Sequence, residues 1–391
     1  MTPRVAVAHP FLVAGGGSEA CALWTIRALQ DDHRVTLVTM GRPDLAALDA
    51  KYGAGIDLAG LEARFLPLLP GTRTGGDALR GVPLARYCRR HAREFDVMIS
   101  AYNAMDFGRP GIQRIADFSF DEGLRRELDP AEGAIAAASP LHRASAWRSA
   151  YLGLARALAG DCKEAWKKNR TAANSEWTAG VLRDRFGLAS EVVYPPVAGA
   201  WPRLPWSERE DGFVVMGRLV PEKGIDLVID ILGRVRARKP VHLHILGRRV
   251  GSAYAREIED LVRRNADWVR LEGEMYGPEK EAFLARHKYG ISGRRAEPFG
   301  IAVAEMAAAG QIVWVPDRGG QTEIVADPRL VYAGRDDAVS RIGSVIGVPA
   351  VEADLRAGLE RRAATFAPER FAAGMRRIVR DFLEDGRRHG A

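Results

Sequence analysis

The first forty residues constrain the fold most. A short apolar run, Arg4-Val-Ala-Val-Ala-His9, leads into a loop with consecutive glycines, Gly15-Gly-Gly-Ser-Glu19. A helical stretch follows over Ala20–Leu29, then a second apolar run, Val35-Thr-Leu-Val-Thr39. Two neighbouring strands joined through a helix lie parallel, with a right-handed crossover. A parallel sheet carries helices on both faces and gathers ligands at the carboxyl ends of its strands. Further strand-like runs lie at Ala63–Pro67, Phe95–Ser100, Gln113–Phe118 and Thr171–Ser175, mostly with helical segments between. Asp117 falls at a strand end, where it is either a ligand contact or an ordinary turn residue.

The alternation stops at Tyr194-Pro-Pro-Val-Ala-Gly-Ala-Trp-Pro-Arg-Leu-Pro205, whose four prolines exclude a continuing helix. It then restarts, with strands expected at Gly212–Met216, Val241–Leu246, Val269–Leu271, Tyr289–Ser292, Ile312–Val315 and Leu330–Tyr332. A chain of 391 residues exceeds one ordinary core. The expected organisation is a doubly wound α/β domain over residues 1–197, a linker over 198–210, and a second such domain over 211–367. A charged helix over about Pro368–Arg387 closes the chain.

Composition narrows the function classes. A formal charge of +7 suits an anionic small ligand, an acidic membrane surface or nucleic acid. Nucleic acid ranks last, because no zinc-finger spacing, aromatic RNA-binding signature or dense basic tail is present. Cys21, Cys88 and Cys162 are odd in number and widely spaced, so they read as reduced thiols with no disulfide or metal pattern. No apolar run reaches membrane-spanning length, and the N-terminus lacks a signal-peptide pattern. The expected location is the cytoplasm, with the cytoplasmic face of a membrane as the alternative. The basic, tryptophan-containing segment 141–170 fits a solvated helix face better than a membrane-resting helix. A dinucleotide site would need Gly-x-Gly-x-x-Gly and an acid after the second strand. The glycines here are consecutive and that strand runs into Met40-Gly41-Arg42, which argues against a nicotinamide cofactor.

The second half carries the chemistry. Gly217-Arg-Leu-Val-Pro-Glu-Lys-Gly224 leaves the first strand of the second domain and places Arg218 and Lys223 at the carboxyl edge, where two cations suit a diphosphate. The plain alternative is a helix cap with solvated charges. In Glu297-Pro-Phe-Gly-Ile-Ala-Val-Ala-Glu305, a loop turns into a helix at Gly300 between two carboxylates. The helix N-terminus suits a phosphate, while Glu297 and Glu305 suit hydroxyls beside it. Asp317-Arg-Gly-Gly320 lies one strand further on. Cations for phosphate and carboxylates for hydroxyls describe a nucleotide-sugar site.

These segments resemble the retaining glycosyltransferases of family four. The resemblance runs through Gly15–Glu19, Ala173-Asn-Ser-Glu-Trp-Thr-Ala179, Val192-Val-Tyr-Pro-Pro-Val197, Gly217–Gly224, Glu297–Glu305 and Gly319-Gly-Gln-Thr-Glu-Ile-Val325. It implies the GT-B fold, two doubly wound Rossmann-like domains facing across a cleft, the first on the acceptor side. The last helix, about 368–391, would cross back onto that domain. It implies transfer of a hexose-type sugar from a nucleoside-diphosphate sugar to a hydroxyl acceptor on a lipid-linked sugar, polysaccharide or small molecule. Arg218 and Lys223 would hold the diphosphate, Glu297 the donor sugar and Glu305 the ribose. Phe299, Gly300 and Ile301 would complete the donor side, and Gly15, Gly16 and Gly17 would approach diphosphate and acceptor. Relatives carry a histidine where this chain has Asp117, so Asp117 takes its place among the expected catalytic residues. With no Asp-x-Asp motif, transfer is expected to need no metal and no cofactor. A nucleotide-sugar epimerase or hydrolase on the same scaffold is the alternative.

Overall fold

A computed structural model describes residues 2–12, 16–68, 77–128, 146–162 and 164–389. The chain divides into two compact units, Met1–Tyr194 with Pro368–Ala391, and Pro195–Ala367.

The first unit holds β1 (Arg4–His9), β2 (Arg34–Met40), β3 (Glu62–Leu66), β4 (Val97–Ser100), β5 (Ile112–Ile115), β6 (Arg170–Ala173) and β7 (Glu191–Val192). They form one sheet in the order β3-β2-β1-β4-β5-β6-β7, every pair parallel. The β-branched and aliphatic residues of β1 and β2 are buried almost without break, as expected for strands covered on both faces. The strand expected over Gln113–Phe118 ends early, at Ile115. The Asn103 side-chain oxygen accepts from the backbone N–H groups of Ala116 and Asp117, at 2.9 and 3.1 Å, and takes them out of the ladder.

The helix Pro368–His389 belongs to this unit. Phe371, Met375, Ile378 and Val379 join Leu23 and Ile26 of the helix Gly17–Gln30 in one core. Arg376 Nε donates to Ala28 O at 2.7 Å, near the C-terminal end of that helix, where a cation is favoured.

The second unit holds β8 (Glu210–Met216), β9 (His242–Leu246), β10 (Val269–Gly273), β11 (His287–Ile291), β12 (Ile312–Pro316) and β13 (Val331–Tyr332). They form a sheet in the order β10-β9-β8-β11-β12-β13, again all parallel. The order reverses at β8 and β11, the topological switch point where open α/β sheets bind ligands. Residues 198–210, expected as a linker, pack onto this unit. Trp206 stacks edge-on against Tyr289 at 5.9 Å and its Nε1 donates to Glu352 at 2.9 Å. Pro-rich backbone excludes helix, but it does not exclude docking through a large aromatic such as Trp206.

Candidate functional site

The carboxyl edge of the second sheet gathers the loops that leave β8, β11 and β12. Two close backbone approaches join them. The loop after β8 ends at Gly224, in the left-handed region at φ +58°. A Cβ there would lie 2.7 Å from the Gly293 carbonyl oxygen, on the loop after β11. The loop after β12 reaches Gly319, which forms an isolated parallel bridge with Glu297. A Cβ on Gly319 would meet the Glu297 backbone nitrogen at 2.8 Å, and its φ of +103° is one that side-chain-bearing residues avoid. Gly320 N donates to Glu297 O at 2.9 Å. Glu297 is therefore held by main chain from a second strand end.

Its side chain is the centre of an ion cluster. Lys223 Nζ lies 2.7 Å from Glu297 Oε2, and Arg294 Nη1 lies 3.1 Å from Glu297 Oε1. Burial pushes the Glu297 carboxyl up, but the charges and hydrogen bonds of Arg294 and Lys223 outweigh it and hold the group at about 2. Three charged side chains sum to one net positive charge at the mouth of the loops.

The helix Ile301–Ala308 starts immediately beyond. Gly300 precedes it at φ +99°, and no side chain caps the helix. A Cβ on Gly300 would press on Glu297 Cγ at 3.2 Å, so the glycine lets the carboxylate and the helix start share the space. The first turn of such a helix presents backbone N–H groups and a partial positive charge. Phe299 is buried and stacks edge-on against Phe366 at 5.3 Å, which anchors the turn; Ile301 opens the helix.

Glu305 lies on that helix and pairs with Lys280 Nζ at 2.7 Å, a partner supplied by the helix Gly277–Arg286. Arg218 stands apart from the cluster. Its side chain is 53% exposed and sits 3.7 Å from Glu222. Arg249, on the loop after β9, pairs with Glu259 at 3.2 Å. Arg294 and Lys280 are the two members that sequence reasoning missed. Arg294 was visible as the cationic pair Arg294-Arg295 just after a strand end; Lys280 had no local signal, because its partner is 25 residues away.

In the first unit, Asp117 is the hub of a polar knot. Tyr102 Oη donates to Asp117 Oδ2 at 3.0 Å and Asn103 Nδ2 to Asp117 Oδ1 at 2.6 Å. Ser119 N also donates to Oδ1, at 2.9 Å. Asn103 adopts φ +60°, a conformation Asn tolerates because its side chain bonds locally. Burial raises the Tyr102 phenol, and the Asp117 charge raises it further, so the phenol stays a donor. His9, at the end of β1, meets Tyr102 in a tilted ring contact at 5.7 Å, and burial lowers its imidazole to about 4. Gly16 N donates to Tyr52 Oη at 3.1 Å, and Gly17 is the first residue of its helix. Gly15 lies outside the described residues.

Part of the basic segment 141–170 also lies outside them. In the rest, Arg148 is buried and donates to Glu122 at 2.7 Å, whereas Trp147 is 87% exposed. Trp166 packs edge-on against Phe120 and Phe186 at 5.3 and 5.4 Å. No helix among the described residues is long and apolar enough to cross a membrane.

Residues 210–347 match the family model described as "Glycosyl transferases group 1". No curated protein sequence matches the chain. Solved structures match along nearly the whole length. Anabaena HepE, solved in complex with UDP and glucose, is 15% identical, with a TM-score of 0.68 over 97% of this chain and 100% of that one. WaaG, a glycosyltransferase involved in lipopolysaccharide biosynthesis, is 16% identical, with a TM-score of 0.65 over 95% and 99%. The sucrose-phosphate synthase of Thermosynechococcus elongatus is 17% identical, with a TM-score of 0.66 over 98% and 100%. The chain has the GT-B fold, and its second unit carries the match to the group 1 glycosyl transferases.

Proposed function

We propose that the chain is a glycosyltransferase that moves a hexose from a nucleoside-diphosphate sugar to a hydroxyl acceptor. The observation that carries this reading is the Lys223–Glu297–Arg294 cluster beside the uncapped helix start at Gly300. A diphosphate needs cations and N–H donors, and a sugar needs a carboxylate within reach of both. The cluster supplies all three within one set of loops. The match of residues 210–347 to group 1 glycosyl transferases supports the same reading. UDP in the HepE structure puts uridine first among the bases to test.

In this reading Lys223, Arg294 and the helix dipole stabilise the negative charge that builds on the leaving phosphate, with Arg218 reaching in from the exposed loop. Glu297 accepts hydrogen bonds from the donor sugar, and Glu305, positioned by Lys280, accepts from the ribose. As the bond from the anomeric carbon to the phosphate oxygen breaks, the acceptor oxygen bonds to that carbon from the same face. Replacement on the same face retains the stereochemistry, and the phosphate takes the acceptor's proton. Protein cations do the work a metal would do, and no metal takes part. In the first unit, the Asp117 knot offers a carboxylate for acceptor hydroxyls.

Thermal unfolding with UDP, GDP, ADP and TDP and their sugars tests the proposal, because a ligand in excess of its dissociation constant stabilises the folded state it binds in proportion to the logarithm of that excess. One nucleoside diphosphate should raise the midpoint well above the others, and its sugar conjugate should be consumed when acceptor is added. No stabilisation by any of them refutes the reading.

A further inference from the structure

The amino edge of the second sheet, opposite the site above, carries a second constellation. Glu210 opens β8, His242 opens β9 with His244 two residues on, and His287 opens β11. Side chains alternate along a strand, so His242 and His244 share one face. β8 runs between β9 and β11, and its Gly212 is in register with His242. A Cβ on Gly212 would lie 2.7 Å from His287 Cδ2 and 2.9 Å from His242 Cδ2. The missing side chain lets imidazoles from the two outer strands meet across the middle one. One ligand atom from each of Glu210, His242, His244 and His287 lies within 4.8 Å of all the others. His242 Nε2 is 3.4 Å and His287 Nε2 3.9 Å from Glu210 Oε2.

The outer nitrogens of His287 and His244 are already engaged. His287 Nδ1 lies 2.8 Å from Phe283 O, so it carries the proton and donates it. Its Nε2 is left with a lone pair, fully buried and with no hydrogen-bond partner. His242 Nε2 is likewise buried with no hydrogen-bond partner. His244 Nδ1 lies 2.6 Å from Glu272 Oε1, a carboxylate that orients the ring. Phe283 lies beside both His244 and His287, with ring centroids at 5.3 and 4.6 Å, and gives the group an apolar wall.

We propose that Glu210, His242, His244 and His287 bind one zinc-class dication, which ties β9, β8 and β11 together at their amino ends. Three imidazoles and one carboxylate are a borderline-soft donor set, suited to zinc and poorly suited to magnesium or calcium. Ligands of a tetrahedral zinc stand about 2.0–2.2 Å from the ion, which puts them roughly 3.4 Å from one another. The His242–Glu210 separation already matches that spacing, and the other atoms reach it by small side-chain shifts. Four protein ligands leave no open position, so the ion is structural and plays no part in sugar transfer.

The test uses the full chain with any affinity tag removed, stripped with a chelator and then titrated with Zn(II) against a chromophoric chelator. A parallel titration with Co(II) is followed by visible absorption. The expected result is one equivalent of each ion, a strong tetrahedral Co(II) band, and a thermal midpoint raised by Zn(II) but not by Mg(II). Glu210→Gln, on an exposed residue, and His287→Gln should each weaken Zn(II) binding by about a hundredfold, and Glu272→Gln by roughly tenfold. Absence of stoichiometric binding overturns the proposal. So does an octahedral Co(II) spectrum, or binding unchanged in both Glu210→Gln and His287→Gln. The wild-type Co(II) spectrum decides the matter even if the histidine variant does not fold.

Discussion

Lys223 Nζ sits 2.7 Å from Glu297 Oε2, joining two residues 74 positions apart in sequence. Both side chains are largely out of solvent, at 20% and 15% exposure. A lysine so placed is ready to share its remaining protons with an anion, and a carboxylate so placed keeps its charge at any physiological pH. The pair is also a measurable coupling between the loops after β8 and β11.

Removing both partners should cost less than the sum of removing each alone. Glu297→Gln leaves Lys223 and Arg294 without their counter-charge, and about 3 kcal/mol of stability should be lost. Lys223→Met should cost a similar amount. The double variant should be more stable than the sum predicts, with a coupling of roughly 1–3 kcal/mol. Denaturant unfolding of the four proteins measures it, and strict additivity would mean the contact contributes nothing.

The depressed Glu297 carboxyl sets an acid limit. Its folded value of about 2 lies below the ordinary 4.5, so its contribution is fully present above pH 4.5 and is lost as pH falls towards 2. The shift corresponds to roughly 3 kcal/mol. Unfolding free energy should therefore fall between pH 4.5 and 2 by about that much more in the wild type than in Glu297→Gln. Equal acid sensitivity in the two proteins would place the loss elsewhere.

Gly319 and Gly358 should respond to alanine in opposite directions. Gly319 has φ +103° and faces the Glu297 backbone, so Gly319→Ala should destabilise by about 2–4 kcal/mol. Gly358 sits inside the helix Pro349–Ala363 with nothing within 4 Å of an added Cβ, so Gly358→Ala should stabilise by roughly 0.5–1 kcal/mol. Thermal and denaturant unfolding report both.

Much of the architecture was legible in the sequence because it is written locally. Runs such as Arg4–His9 and Ile312–Val315 are apolar, β-branched and short, and glycine or proline bounds them. That Lys223, Glu297 and Gly300 meet at one sheet edge was legible because each flanks a strand end or a helix start. Arg294 and Lys280 were not, since only the packed sheet shows which carboxylate each meets. The end of β5 was misjudged for a related reason: Asn103, 13 positions upstream of Ala116, withdraws the N–H groups the ladder needed. His242 and His244 were read only as part of the expected strand Val241–Leu246. That reading is correct for the fold but says nothing of Glu210 and His287, which arrive from two other strands.

Charge on the diphosphate should be read by turnover. Lys223→Ala should lower transfer about a hundred- to thousand-fold, the usual cost of one donor aimed at developing negative charge. Arg218→Ala should lose less, because Arg218 is half exposed and bound loosely to Glu222. Near wild-type turnover in both variants would remove these residues from the donor site.

Glu297→Gln decides the central assignment, measured below its unfolding range with the nucleoside diphosphate that stabilises the wild type most. Calorimetric affinity for that diphosphate and the rate of sugar transfer are compared in the same preparation. The account predicts diphosphate affinity within about threefold of wild type and transfer slowed by at least roughly a hundredfold, because the carboxylate contacts the sugar that is transferred. An equal loss of both would contradict it and would move Glu297 from the sugar to the nucleotide or to the fold.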